Sequence, residues 1–313
     1  MNHWRSALSQ HPFAGMYAAL LTPLSHEGVF NAPMAQELLL HLCSQGLDGA
    51  YVAGTTGEGM RLPLETRRQL VASLMEVLPE GKRLFVHVGT PDVRDAIRLA
   101  EHAATQGAHA ISSLPPAASS EEVMTFYKEL AANSPLPLIV YYFPKAAPAA
   151  FQKSQELLDI CDLPNVLGVK FTDFNMYLLS QLVDRGKLVF NGYDEALAAG
   201  LLMGAQGGIG TTYNTVGPVV LEIARAAKAS DWERARALQF AVNRVLDILF
   251  RYPFFPAVRE SVRQLGFDCG PMVSGEDFES EMQRRQFIED MNANLPSEVA
   301  KMIQWPLPAG SNR

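Results

Sequence analysis

The sequence predicts an α/β fold, a (β/α)8 TIM barrel with additional C-terminal helices, and three observations predict it. Strand-like apolar runs alternate with helical patterns eight times between residues 16 and 229, about one pair every 25 residues, which implies a parallel sheet. No GxGxxG follows the first strand, so the rival doubly wound fold lacks its dinucleotide-binding turn. Helical patterns continue beyond residue 230 with no Gly/Ser/Pro-rich linker before them. We therefore read a barrel over 1–230 and a helical extension over 231–313 packed on it as a single structural unit.

Residues 16–22 (MYAALLT) form an apolar run stopped by Pro23. Residues 33–46 have helical spacing in Met34, Leu38, Leu39 and Leu42, with Pro33 in the first turn and Gly46 at the end. Strand 48–53 and helix 64–77 come next, then strand 84–88 and helix 92–106, closed by Gly107. Strand 108–114 precedes a helix over 119–132. Residues 136–143 are the most strand-like run of the chain, and helix 152–161 follows. Residues 165–173 (NVLGVKFTD) read as a buried strand between Pro164 and a helix over 174–184. Strand 188–191, helix 195–203, the Gly-rich strand 207–210 and a helix over 218–229 complete the set. The extension reads as helices over 232–250, 254–265 and 277–292, with a frayed end at 306–313.

Composition narrows the function. Of 313 residues 48% are hydrophobic and 19% charged, enough for one large core. A net charge of −7 argues against nucleic-acid and anionic-membrane partners, which want a basic field. Cys43, Cys161 and Cys269 are odd in number and lack CxxC spacing, as reduced thiols of a cytosolic protein do. Residues 1–15 carry no apolar h-region, and no apolar run reaches the ~20 residues of a membrane span, so a cytoplasmic protein is expected. The seven histidines show neither HxH nor HExxH spacing, so no metal is expected, and His87 reads as a hydrogen-bonded rim residue.

One residue breaks the pattern of its strand. Alternation puts Gly168, Lys170 and Thr172 on one face of 165–173, and Leu167, Val169 and Phe171 on the other, which should pack outward. A lysine among apolar residues admits two readings. It can be a strand-end side chain reaching solvent or paired with Asp173. It can also be a buried amine, and lowering a lysine from ~10.4 to about 7.5 disfavours its charged form by about 4 kcal/mol. Such an amine is a nucleophile able to form a Schiff base.

In a barrel of this kind the site lies at the C-terminal strand ends, which here are polar. The second strand runs into Gly54-Thr55-Thr56-Gly57-Glu58-Gly59, a turn whose N–H groups can face an anion. With no basic residue before Arg61, that anion is a carboxylate rather than a polyphosphate. The fifth ends in Tyr141-Tyr142, and parity with Ile139 points Tyr141 inward and Tyr142 outward. An inward phenol beside an amine could shuttle protons. The seventh ends in Gly192-Tyr193-Asp194-Glu195, where helix capping alone would explain Asp194. The eighth ends in Gly210-Thr211-Thr212, again without a basic residue.

GTTGE, VYYFP, GVKFTD, NGYDE and GGIGTTYN, in this order and at strand ends, resemble the N-acetylneuraminate lyase / dihydrodipicolinate synthase superfamily over residues 15–294. The resemblance implies a class I aldolase, a homotetramer needing no metal or organic cofactor. It implies Lys170 as the Schiff-base lysine, Tyr141 as the proton carrier, and Thr55 and Thr56 as the holders of the pyruvate carboxylate. Thr172, Gly192, Asp194, Glu195 and Thr211 match positions that contact the sugar portion in the lyase branch. Ala146 stands where the synthases usually carry arginine, and NGYDE with GGIGTTYN is similar to the lyase pattern. Two departures are visible. The loop after the fourth strand, LPPAAS, lacks the tyrosine many members have there, and Thr211 replaces a serine.

Overall fold

The computed structural model describes residues 11–116 and 118–306; expectations about residues 1–10, Ala117 and the end at 307–313 lie outside that range. Eight strands, β1 (Gly15–Ala19), β2 (Gly49–Val52), β3 (Arg83–His87), β4 (Ala110–Ser113), β5 (Leu138–Tyr142), β6 (Val166–Phe171), β7 (Leu188–Asn191) and β8 (Gly207–Gly210), form a closed barrel. Each pairs in parallel with the next, and β1 with β8 closes the ring. Every strand is followed by a helix, because a parallel neighbour is reached only through a long crossover. These are α1 (Ala32–Ser44), α2 (Leu64–Val77), α3 (Val93–Thr105), α4 (Ser120–Asn133), α5 (Ser154–Cys161), α6 (Met176–Asp184), α7 (Leu197–Leu202) and α8 (Tyr213–Lys228).

Caps set the helix starts. Asn31, Asp92 and Asn175 each accept a first-turn N–H, and Ser119 forms a capping box with Glu122. Inside the barrel Tyr17, Tyr51, Phe85, Ile139, Phe190 and Ile209 meet as one cluster, with the Tyr17 and Phe85 rings 4.4 Å apart and Phe85 and Phe190 5.6 Å apart. The opposite strand faces, among them Val52, Val140, Val169 and Phe171, pack on the helices. This plug closes the barrel, so chemistry is confined to its ends.

The extension comprises α9 (Trp232–Leu249), α10 (Phe254–Gln264), α11 (Glu281–Asn294) and α12 (Ser297–Met302). Asp231 caps α9, accepting from the Arg234 N–H at 3.0 Å. One face of α9, with Leu238, Val242, Val245 and Leu249, joins the outer core. Gln239 and Asn243, one turn apart on α9, donate to the backbone oxygens of Asp194 (2.9 Å) and Glu195 (3.2 Å). The extension thus touches the loop after β7.

Five details depart from the sequence reading. Along β6 the register passes from Leu138↔Val166 to Ile139↔Gly168, skipping Leu167. A bulge leaves one residue unpaired and changes parity, so Leu167 packs on the inner cluster while Val169 and Phe171 face outward as expected. Helix α8 begins five residues before Pro218: a first turn ends at Val216 (φ −104°, ψ 25°), and Pro218 opens the longer part. Asp194–Ala196 is a 3-10 turn ahead of a shorter α7. Helix α11, capped by Ser280, starts four residues later than expected, and α12, a six-residue helix directly after Pro296, was not anticipated. Among the described residues no helix is long and apolar enough to cross a membrane.

Candidate active site

Lys170 is the next-to-last residue of β6, on the inner face, and 4% exposed. Its Nζ lies 4.2 Å from the ring centroid of Tyr141 and 4.4 Å from that of Tyr51. Asp173 does not reach back to it: that carboxylate accepts from the Phe174 N–H at 2.7 Å and the Tyr142 hydroxyl at 3.4 Å. Burial lowers the Lys170 amine from 10.5 to about 7, against a smaller opposing pull from Asp194. The two ring faces favour the ammonium by about 0.5–2 kcal/mol each, while a shift of that size corresponds to about 5 kcal/mol. Desolvation wins, and a large share of the amine is neutral near pH 7.

Tyr141 is the register partner of Lys170 on β5. Its hydroxyl lies 3.4 Å from Thr55 Oγ1, and burial pushes it up to about 12, with the Thr55 and Thr172 hydroxyls pulling the other way. The phenol is therefore protonated at neutral pH. Once it has given its proton up, it is a strong enough base to take one from a sugar hydroxyl. Tyr142 points out, stacked on Phe171 at 5.2 Å.

The turn after β2 folds back on itself through Glu58 N–H to Thr55 O (3.1 Å) and Gly59 N–H to Gly54 O (3.1 Å). Among the described residues no backbone carbonyl takes the N–H of Thr55 or Thr56. Two free donors beside two hydroxyls suit a carboxylate. Thr56 Oγ1 also meets Thr211 Oγ1 at 2.7 Å, joining this turn to the end of β8.

Beyond β7, Asp194 is buried, and its Oδ2 accepts from the N–H and the hydroxyl of Thr212, both at 2.7 Å. Its Oδ1 is buried as well and has no hydrogen-bond partner. Burial raises Asp194 to about 6, with the Thr212 bonds opposing. Gly210 lets this carboxylate sit where it does, since a Cβ there would lie 2.1 Å from Asp194 Oδ1. Likewise a Cβ at Gly192 would lie 2.1 Å from the buried Thr172 Oγ1. Glu195 is half-buried next to Asp194, whose carboxyl its charge helps to raise.

The barrel mouth therefore brings together Lys170, Tyr141 and Thr55, then Thr56 with Thr211, Thr172 with Gly192, and Asp194 with Gly210. Sequence reasoning missed Tyr51, whose ring flanks Lys170 and whose hydroxyl donates to Ser112 Oγ at 3.1 Å; alternation with the outward Ala50 and Val52 would have found it. It also missed Thr212, Gln239 and Asn243, the last two of which carry no sequence signal. His87 is buried rather than at the rim; its Nε2 accepts from the Leu114 N–H at 2.9 Å, and burial holds it well below the usual histidine range. Among the described residues no three His, Cys, Asp or Glu side chains gather as a metal site would need, and the three cysteines are buried free thiols.

Comparison with known proteins places this geometry. The chain is 37% identical to the N-acetylneuraminate lyase of Rhizobium meliloti (strain 1021), over 93% of this chain and 96% of that one. It is 32% identical to the N-acetylneuraminate lyase of Salmonella typhimurium (strain LT2), over 78% and 84%. Among solved structures, the N-acetylneuraminate lyases of Proteus mirabilis and Mycoplasma synoviae superpose with TM-scores of 0.83 and 0.82, each at 25% identity. They cover 91% and 92% of this chain, and 99% and 100% of their own. The model of the Dihydrodipicolinate synthetase family matches residues 12–284, and with relatives this close over nearly the whole length, the chain belongs to that family.

Proposed function

We propose that the chain is a class I aldolase that cleaves N-acetylneuraminate reversibly to N-acetylmannosamine and pyruvate. One observation carries the reading: a buried amine lowered to about 7, beside a protonated phenol and a turn with free N–H donors. Neutral Lys170 attacks the C2 ketone, and Tyr141 protonates the carbinolamine oxygen, which leaves as water. The resulting imine cation takes up the electrons of the C3–C4 bond as it breaks, while the Tyr141 phenolate accepts the C4 hydroxyl proton. The aldehyde departs, C3 is protonated, and hydrolysis of the imine returns pyruvate and the free amine. Thr55 and Thr56 hold the carboxylate throughout. Thr172, Gly192, Asp194, Glu195 and Thr211 contact the sugar.

The choice of sugar rests on the lyase relatives, on the acceptors after β7, and on Ala146 in place of an arginine. A coupled assay of pyruvate release tests it across N-acetylneuraminate, 2-keto-3-deoxygluconate and other 2-keto-3-deoxy sugar acids. Release from N-acetylneuraminate is expected, and release from only the non-aminated acids overturns the substrate. Binding without turnover of any of them makes the protein a sensor and overturns the activity. No metal or organic cofactor enters the scheme. Our reading is of a cytoplasmic homotetramer, for which light scattering should give four chain masses.

A further inference from the structure

We propose that Glu58 and Arg259 are positioning residues that fix the carboxylate-binding turn from behind, through the segment 269–274 of the C-terminal extension. The proposal rests on the pyruvate reading above. Glu58 is 7% exposed and sits in the left-handed region at φ 51°, with Ala53 at φ 56° on the other side of the turn. Non-glycine residues stay there only when their surroundings hold them. What holds Glu58 is its side chain, whose two oxygens accept from the N–H groups of Val273 (2.8 Å) and Ser274 (2.9 Å).

Arg259, on α10 and 7% exposed, ties the same segment to the opposite wall. It donates to Cys269 O (2.6 Å), Gly270 O (3.3 Å) and Thr22 O (2.8 Å), and lies 3.9 Å from Glu58. Thr22 in turn donates through its hydroxyl to Gly57 O at 2.7 Å. The turn bearing Thr55 and Thr56 is thus gripped at Gly57 and at Glu58, and both grips lead to Arg259. An open cleft of about 470 Å³, lined in part by Arg259, Cys269, Gly270 and Met272, flanks the segment. On that side hydrogen bonds, rather than packing, set its place. Free N–H donors bind a carboxylate well only when their direction is fixed beforehand. Loosening the grip should therefore weaken recognition of the carboxylate more than attack on the ketone.

The test uses the full chain as wild type, Glu58→Gln and Arg259→Lys. Borohydride trapping is measured against the concentration of pyruvate and of its neutral ester, methyl pyruvate, with thermal unfolding as a check of folding. In Glu58→Gln the half-saturating pyruvate concentration should rise about tenfold, or about 1.4 kcal/mol, against less than about twofold for the ester. Arg259→Lys should shift the same ratio in the same direction, and it carries the comparison should Glu58→Gln not fold. A folded variant that traps pyruvate as wild type does, or loses pyruvate and ester alike, overturns the proposal. A wild type that traps no pyruvate overturns the aldolase reading along with it.

Discussion

Replacing Lys170 by methionine should stabilise the protein at neutral pH while abolishing its chemistry. The folded amine titrates near 7 and the ordinary one at 10.5. Between those values the unfolded chain binds one more proton than the folded chain, so stability rises with pH across that window. The penalty is fully present below about 7 and gone above about 10.5, and at its largest it is worth about 5 kcal/mol. Methionine fills a similar volume between the Tyr51 and Tyr141 rings and carries no charge to desolvate. Lys170→Met should therefore unfold several degrees above wild type at pH 7, with the gain shrinking steadily toward pH 10. Scanning calorimetry of both proteins at pH 6, 7, 8.5 and 10 measures it. A variant no more stable at pH 7, or a gain independent of pH, refutes the argument that burial of this amine sets its chemistry.

Three other outcomes follow from the same geometry. Tyr141→Phe keeps the ring over Lys170 but removes the proton carrier, so kcat for sugar-acid cleavage should fall by about 10²–10⁴; an unchanged kcat in the pyruvate-release assay would exclude that role. Gly192→Ala drives a methyl toward Thr172 Oγ1, so KM for the sugar acid should rise at least tenfold, by about 1.4 kcal/mol or more, while pyruvate is still trapped; equal loss of both would place the residue elsewhere. Phe190→Ala opens a cavity in the fully buried barrel plug and should cost about 3–5 kcal/mol; thermal unfolding within a degree of wild type would contradict the packing described.

Much of this was legible because the signals are local. Strand 188–191 and helix 64–77 fall where the hydrophobic pattern puts them, since that pattern is set by neighbours in sequence. Leu167 was misassigned because a bulge is decided by the partner strand: nothing in NVLGVKFTD reveals that Ile139 pairs with Gly168. Pro218 hid the first turn of α8, because a proline marks the start of a helix equally well after a kink. At the site, Lys170 stood out as a charge in an apolar run, and glycines and hydroxyls marked the other strand ends. Gln239 and Asn243 did not, for they support the loop after β7 from a helix some 45 residues away in sequence.

The central claim is that Lys170 is a nucleophilic amine. Incubation with pyruvate, reduction with borohydride, and peptide mapping by mass spectrometry test it most directly. The account predicts one pyruvate-derived adduct, on Lys170, forming faster as the pH rises through about 7 and levelling off above it. Folded protein that carries no adduct at Lys170, or an adduct whose rate keeps rising toward pH 10, would contradict it.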